Sequence, residues 1–271
     1  MDLQTLRTLN AMLGNARGLA GLEWAVSSGE LQFEAEAVFS IGGASGAITQ
    51  RGREIEAWRA HHASAGDVIT ISAPQRGRFL YIAVAGGIDA PLVMKSRSTY
   101  LPGAFGGHEG RLLKSGDVLR IGSTKRRNRP QVTDALPEAL RPEPGSGIIR
   151  YVPRGSQFEE SRFTVSTACD RTGYRLDTSG SIHGGSITSE PVCPGVIQVP
   201  PSGQPIVLMA DAPTVGGYWL AGAVIAADLG RLAQCTPGES VILAPVTIET
   251  AQRELTKSAE RVASVEEWSL T

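Results

Sequence analysis

Three short segments of this chain share one pattern. Ala65-Gly66-Asp67-Val68-Ile69-Thr70-Ile71, Ser115-Gly116-Asp117-Val118-Leu119-Arg120-Ile121 and Pro237-Gly238-Glu239-Ser240-Val241-Ile242-Leu243 each set Gly-Asp or Gly-Glu before a run rich in apolar residues. Glycine followed by a carboxylate makes a tight turn, and β-branched residues after it favour an extended strand. Two copies lie before residue 123 and one lies late, which predicts two β-rich domains built alike. Glycine, at 32 of 271 residues, exceeds its usual share of about 7%, as short strands joined by many turns require.

Other strands are predicted over Leu22–Ser27, Leu31–Phe39, Gly46–Thr49, Ile148–Pro153, Val196–Val199 and Ile206–Met209, each cut off by glycine, serine or proline. Leu31–Phe39 begins as an apolar-polar alternation, the mark of a strand with one wet face. Helical spacing of Leu3, Leu6, Leu9, Met12 and Leu13, with Gly14 as a stop, predicts a short N-terminal helix that buries its leucines. Phe158–Phe163 reads as a helical turn and Leu220–Leu232 as an alanine-rich helix. Leu176–Ser189 reads as a loop or weak hairpin. Residues 248–265 read as a longer helix: Thr247 is its N-cap, Glu249 lies in its first turn, and Ala251, Leu255, Ala259 and Val262 form its apolar stripe. That stripe is expected to pack on the outside of a barrel. Residues 123–147 carry charge, four prolines and few large apolar side chains, so they read as a linker. The expected division is an N-terminal β-barrel domain over 1–122, the linker over 123–147, and a C-terminal β-barrel domain with its terminal helix over 148–271.

A net charge of -1 and a pI near 6.4 leave no basic excess for nucleic acid or a membrane surface. Lys125-Arg126-Arg127 reads as a solvated part of the linker. Cys169, Cys193 and Cys235 are odd in number, widely spaced and without C-x-x-C, which indicates neither a disulfide frame nor a metal site. The N-terminus has no signal-peptide pattern and no apolar run approaches a membrane span, so a reducing, cytoplasmic setting is expected.

The richest chemistry lies between Tyr81 and Gly122. Two apolar runs flank a glycine-rich loop with Arg97, Ser98, Thr99, His108, Glu109 and Arg111. Arginine forks suit carboxylate or phosphate, and His108 can transfer protons near neutrality or serve as a hydrogen-bonded structural residue. Gly106 and Gly107 would let a ligand approach the backbone amides. No G-K-[ST] follows, so the loop is not a Walker A loop. Cys169-Asp170-Arg171 reads either as a salt-bridge cluster or as an anion clamp in which Asp170 orients Arg171. Gln198 and Gln204 can donate to and accept from a planar amide, or hold a proline-stiffened hairpin. They lead into Asp211, a candidate base, and a second flexible loop with Thr214, Gly216, Gly217 and Tyr218. Val93-Met94-Lys95-Ser96 is a poor match to the Met-Lys-Met of biotin carriers, because the second methionine is missing.

A-V-A-G-G-I-D at 83–89, S-R-S-T at 96–99, F-G-G-H-E-G-R at 105–111, P-x-x-P-G-x-I-Q-x-P-P-x-G-Q-P-I from 191 and A-D-x-x-T-x-G-G-Y at 210–218 resemble the allophanate hydrolase subunit 2 family. That family is also called the biotin-dependent carboxyltransferase or KipA-like family, and it includes one of the subunits of 5-oxoprolinase. The resemblance runs from Met1 to about residue 250. It implies a mainly β fold of two tandem cyclophilin-like β-barrel domains with a C-terminal helix. It also implies a partner, an allophanate hydrolase subunit 1 or KipI-like protein, with a lactam-binding third subunit in one setting. The first activity implied is ATP-dependent opening of 5-oxoproline to glutamate, with ATP used through the complex. The second is carboxyl transfer from carboxybiotin, carried on a separate protein or domain, to urea or a related amide. The third is non-catalytic regulation. On this match His108 and Asp211 are the expected catalytic residues. Arg97, Ser98, Thr99, Gly106, Gly107, Arg111, Arg171, Gln198, Gln204, Thr214 and Tyr218 are expected to bind a small amide substrate or its anionic groups, with no metal. Members of the family carry a further segment of roughly thirty residues before the Met-Asp at which this sequence starts, so a short start or a missing strand is expected. Ala212, Pro213 and Val215 replace an Arg, a Gln and a Thr of the late motif, and Thr172 replaces a Met. The first change removes an arginine fork beside Asp211.

Overall fold

The computed structural model describes residues 1–123, 134–142, 145, 147–155, 158, 162–180 and 182–270. The fold is mainly β and divides into two compact units. One comprises Leu3–Pro142 with Ala259–Thr271, the other Glu143–Ser258 with Met1–Asp2. The division after Pro142 falls inside the expected linker, much of which, Lys125-Arg126-Arg127 included, lies outside the described residues. The described part, 134–142, is docked. Leu136 is fully buried, its N–H donates to the Trp58 carbonyl at 2.7 Å, and Arg141 Nε donates to the Leu136 carbonyl. Residues 259–271, expected with the C-terminal domain, group with the N-terminal unit. Arg17 grips Glu266 with two hydrogen bonds of 2.7 and 2.8 Å, and Val262 and Val265 are buried.

The N-terminal unit begins with α1 (Leu3–Met12) and continues through β1 (Leu22–Ala25), β2 (Gly29–Gln32), β3 (Ala37–Ser45), β4 (Ile48–Gln50), β5 (Arg53–Glu54), β6 (Ala60–Ala63), β7 (Val68–Ile71) and β8 (Arg76–Val84). These form two four-stranded antiparallel sheets, ordered β1-β8-β3-β6 and β2-β7-β4-β5. Their inner faces share one core that includes Phe39, Ile41 and Ile82 from the first sheet and Ile48, Ile69 and Ile71 from the second. Burying such side chains is worth roughly 1.5–3 kcal/mol each. The expected strand Leu31–Phe39 is two strands, because Phe33 leaves the ladder to pair with the turn at Gly66 and Asp67. Helix α1 forms as expected but buries Thr5, Thr8, Leu9 and Met12, while Leu3 is half exposed. The reason is close approach. The Thr5 methyl lies beside Gly43 of β3, where a leucine would not fit.

The C-terminal unit contains β9 (Gly147–Pro153), β10 (Arg162–Cys169), β11 (Gly173–Asp177), β12 (Ser186–Pro191), β13 (Val196–Val199), β14 (Ile206–Leu208), β15 (Val215–Val224), α2 (Ala226–Ala233), β16 (Ser240–Pro245) and α3 (Ile248–Trp268). Seven strands close a barrel in the order β15-β13-β14-β11-β10-β16-β9, with β9 returning to β15. Among the described strands of this unit, the β9–β16 pair alone is parallel. Inward residues such as Tyr151, Phe163, Tyr174, Ile197, Val207 and Val241 are fully buried, and the Tyr174 hydroxyl is satisfied by the Ala233 carbonyl at 2.8 Å. Within the expected loop Leu176–Ser189, β12 begins at Ser186 and pairs with β15. Arg162 and Phe163 lie in β10 rather than in a helical turn. Residues 220–224 are strand rather than helix. The barrel closes only if β15 pairs with both β13 and β9, and that demand overrides the helical composition. Among the described residues no helix is long and apolar enough to cross a membrane.

The three Gly-acid segments are one turn used three times. Gly66, Gly116 and Gly238 each have φ of 90°. In each, the acid's N–H bonds back to the carbonyl three residues earlier, and its carboxylate accepts that residue's N–H at 2.8–2.9 Å. Strands follow at 68 and 240. None follows at 117, where Val118 is exposed and only Ile121 pairs, in an isolated bridge with Ile88.

Arg150 of β9 donates three hydrogen bonds, from its N–H, Nε and Nη2, to the fully buried carboxylate of Asp228 in the first turn of α2, at 2.7–2.9 Å. Its Nη1 reaches Glu254 of α3 at 2.9 Å. Glu254 therefore belongs to the covered face of α3 with Ser258 and Val262, while Leu255 and Ala259 of the expected stripe face solvent. Lys257 and Arg150 pull the Glu254 pKa down to about 2. Replacing Asp228 by alanine leaves this arginine without its main partner. We expect Asp228→Ala to lower unfolding free energy by about 3 kcal/mol, measured by urea denaturation of the full chain. A loss below about 0.5 kcal/mol, the range of ordinary surface changes, would show that the pair does not hold the barrel.

Candidate functional site

The predicted residues fall into two groups, one in each unit, with Gln204 apart. In the N-terminal unit the glycine loop is closely wound. Met94 and Lys95 have φ of 49° and 65°, and Val93 and Ser96 exchange backbone hydrogen bonds of 2.8 and 2.9 Å, which makes a two-residue hairpin turn with Lys95 at its tip. Arg97 Nη1 donates to the Ala90 carbonyl and lies 3.9 Å from Asp89. The Ser98 N–H donates to Ser96 Oγ at 3.1 Å. The space that side chains at 106 and 107 would fill is occupied by the Ser98 carbonyl and the Thr99 hydroxyl. These glycines thus let the chain close on itself.

Arg111 is fully engaged. It donates twice to Asp117, at 2.7 and 2.8 Å, and twice to Glu109, at 2.7 and 3.0 Å. His108 Nε2 lies 3.5 Å from the same Asp117. Hydrogen bonds from Arg111 and from the Lys114 N–H hold the Asp117 carboxyl well below the usual range, and Asp117 raises the Arg111 pKa in return. Asp117 is a member of this network that motif reading missed. The signal was present, since the repeated turn fixes a carboxylate six residues after Arg111.

The C-terminal group is built around the end of β14 and the start of β15. Arg171 forms a two-pronged pair with the buried Asp211, Nε to Oδ2 at 2.8 Å and Nη2 to Oδ1 at 3.0 Å. The expectation that Asp170 orients Arg171 is corrected, because Asp170 accepts the Thr172 and Gly173 N–H groups at 2.7 and 3.1 Å. Arg171 supplies an arginine fork beside Asp211, where the sequence lacks one at 212. Beyond Asp211, the Thr214 carbonyl accepts the Val192 N–H at 3.0 Å, and Tyr218, exposed, pairs across the ladder with Ser186.

Gln198 sits on β13, facing away from the barrel interior that Ile197 and Val199 fill. It is 5% exposed. Its cross-strand partners are Leu220 and Ile206, and these belong to an apolar cluster with Val192, Leu208, Val196 and Ala212. Gly216 lies directly over its carboxamide, so that a side chain at 216 would collide with Nε2. Among the described residues Gln198 Nε2 has no hydrogen-bond partner. Such a donor costs roughly 1–3 kcal/mol when left unmade.

Gln204 is elsewhere. Its Nε2 donates to Asp177 Oδ1 and its Oε1 accepts from Arg175 at 3.3 Å. It borders an open polar cavity of about 460 Å³ lined in part by Thr178, Ser202 and Gly203. Cys169 and Cys235 are buried, and burial pushes the Cys235 thiol up to about 12, which leaves it unreactive.

The profile of a family described as carboxyltransferase domain, subdomain A and B, matches residues 1–245. The chain is 38% identical over 261 residues to a 5-oxoprolinase subunit of Escherichia coli K12, covering 93% of this chain and 83% of that one. It is 32% identical over 265 residues to the 5-oxoprolinase subunit of the same designation in Haemophilus influenzae, covering 93% and 84%. The crystal structure of Kluyveromyces lactis urea carboxylase superposes with a TM-score of 0.87 at 25% identity, over 99% of this chain and 26% of that one.

Asp117 offers a test of the N-terminal network. Its lowered pKa means that it contributes stability fully above its unfolded pKa of about 3.9, and that this contribution is lost as the pH falls toward the folded value. Carbon-13 carboxyl resonances should show Asp117 still ionised at about pH 3, where an ordinary aspartate is mostly protonated. Arg111→Gln should return it to the ordinary range. An unshifted midpoint in the wild type would contradict the network.

Proposed function

The chain belongs to the carboxyltransferase family of subdomains A and B, and from that premise we propose that it is a subunit of an ATP-dependent 5-oxoprolinase. The observation that carries this reading is the 38% identity to a 5-oxoprolinase subunit over nearly the whole of this chain and most of that one. Ring opening adds water across the lactam C–N bond. The carbonyl carbon becomes a carboxylate and the ring nitrogen an amine, with ATP hydrolysis in the complex driving the reaction. A lactam offers a planar amide and a carboxylate to its site. In the C-terminal unit Gln198, whose carboxamide nitrogen has no partner among the described residues, and the arginine–aspartate pair of Arg171 and Asp211 suit those two groups. The reading includes a subunit 1 partner and a lactam-binding third subunit.

A second reading is carboxyl transfer to urea or a related amide, with biotin carried elsewhere. It is favoured by the TM-score of 0.87 to K. lactis urea carboxylase. The two readings share a planar amide or ureido group and differ in what is done to it.

Mixing this chain with its partner subunits should give ATP hydrolysis stimulated at least about tenfold by 5-oxoproline, a barrier change near 1.4 kcal/mol, with glutamate formed in step. No stimulation from a preparation in which the proteins co-purify would overturn the lactam reading. Urea-dependent consumption of carboxybiotin in the same preparation would establish the second.

A further inference from the structure

The geometry points to Gln198 as the floor of a covered subsite for a planar amide or ureido carbonyl, roofed by the Val215–Tyr218 segment. The inference rests on the proposed small-amide substrate and adds how Gln198 would read it, beneath a cover that must lift. Three observations carry it. First, Gln198 is nine-tenths buried and its Nε2 has no partner among the described residues. Second, its surroundings are apolar. Val196, Ile206 and Leu220 flank it on the same barrel face, with Val192 at the rim. A methionine or leucine would pack there without stranding a donor, so packing does not account for a glutamine. Third, the roof is fitted to the amide, because Gly216 passes over Nε2 where any side chain would collide.

Each part has a chemical use. Nε2 donates to a ligand carbonyl oxygen, and the apolar flank takes the face of a flat ring or ureido plane. Arg171, in the turn between β10 and β11, is paired with Asp211 of the loop that leads into the roof. The neighbouring Ala212 packs on the same apolar cluster. Because Gly216 covers Nε2, the ligand enters only when the roof lifts. Gly216 and Gly217 give the segment that freedom, and its outer side is edge strand β12, which is exposed over most of its length. A donor buried in apolar surroundings discriminates strongly between ligands that offer an acceptor and ligands that do not.

The test is calorimetric binding of two probes, 5-oxoproline and the cyclic urea 2-imidazolidinone, to the full chain and to Gln198→Met. The wild type should bind at least one probe, and Gln198→Met should weaken that binding by about tenfold or more, as expected for one lost hydrogen bond near 1.4 kcal/mol. The variant should melt at or above the wild-type temperature, which separates loss of the subsite from loss of fold. Gly216→Ala, which presses a methyl onto Nε2, should weaken binding in the same direction. Binding of the cyclic urea alone, lost in Gln198→Met, would support the subsite while overturning the lactam reading. Equal binding by wild type and Gln198→Met, or binding of neither probe by the wild type, would overturn the subsite. A drop in melting temperature without a change in affinity would do the same, since Gln198 would then be holding structure only.

Discussion

A buried carboxylate taken up chiefly by one arginine organises the C-terminal unit. Asp228 has no exposed surface, and its charge is tolerable because Arg150 answers it three times, with Arg231 Nη1 at 3.5 Å from the same carboxylate. Arg150 stands on β9, the strand that closes the barrel through a parallel pairing on one side and an antiparallel one on the other. The same side chain reaches Glu254, so one guanidinium ties the closing strand to α2, which links β15 to β16, and to the C-terminal helix α3. Closure in turn dictates β15, which must pair on both sides and therefore cannot become the helix its alanines favour. The roof over Gln198 is the start of that same strand, where its outer neighbour is the edge strand β12. The site is thus a consequence of how the barrel is shut.

The N-terminal loop and the Gln198 site treat their polar groups differently. In the N-terminal loop almost every polar group has an answer inside the loop. Arg111 holds Asp117 and Glu109, Arg97 holds the Ala90 carbonyl, and the loop glycines admit the chain's own oxygens. The charges of its arginines are thereby largely neutralised. In the C-terminal unit Arg171 and Asp211 answer each other, but Gln198 Nε2 finds no acceptor among the described residues. An unmade hydrogen bond in a folded protein destabilises it, and natural structures rarely keep one without a use.

Much of the fold was legible in the sequence because its signals are local. The Gly-acid turns, the strands at 68–71 and 240–245, and the N-cap at Thr247 rest on residues within a few positions of each other. What failed depended on distant partners. Leu3 and Leu255 have helical spacing but face solvent, because Gly43 and Arg150 decide which side of each helix is covered. The turn at Asp117 has the same local signal as its two relatives, yet Val118 starts no strand because no ladder partner lies beside it. The site was legible as residue types, not as pairings. Arg171, Asp211 and Gln198 stood out, but that Asp211 rather than Asp170 holds Arg171 depends on a contact 40 residues away. The fit of Gly216 over Gln198 depends on a bulge in the β13–β15 register that no motif announces.

An amide read beneath the glycine roof requires that roof to open and then close. Amide hydrogen exchange over residues 214–218 reports that motion directly. Saturating 5-oxoproline should slow exchange in this segment selectively, leaving β3 and β8 of the N-terminal unit unchanged. Exchange in 214–218 that is identical with and without a ligand shown to be bound would mean that the roof takes no part, and the account of this site would fail.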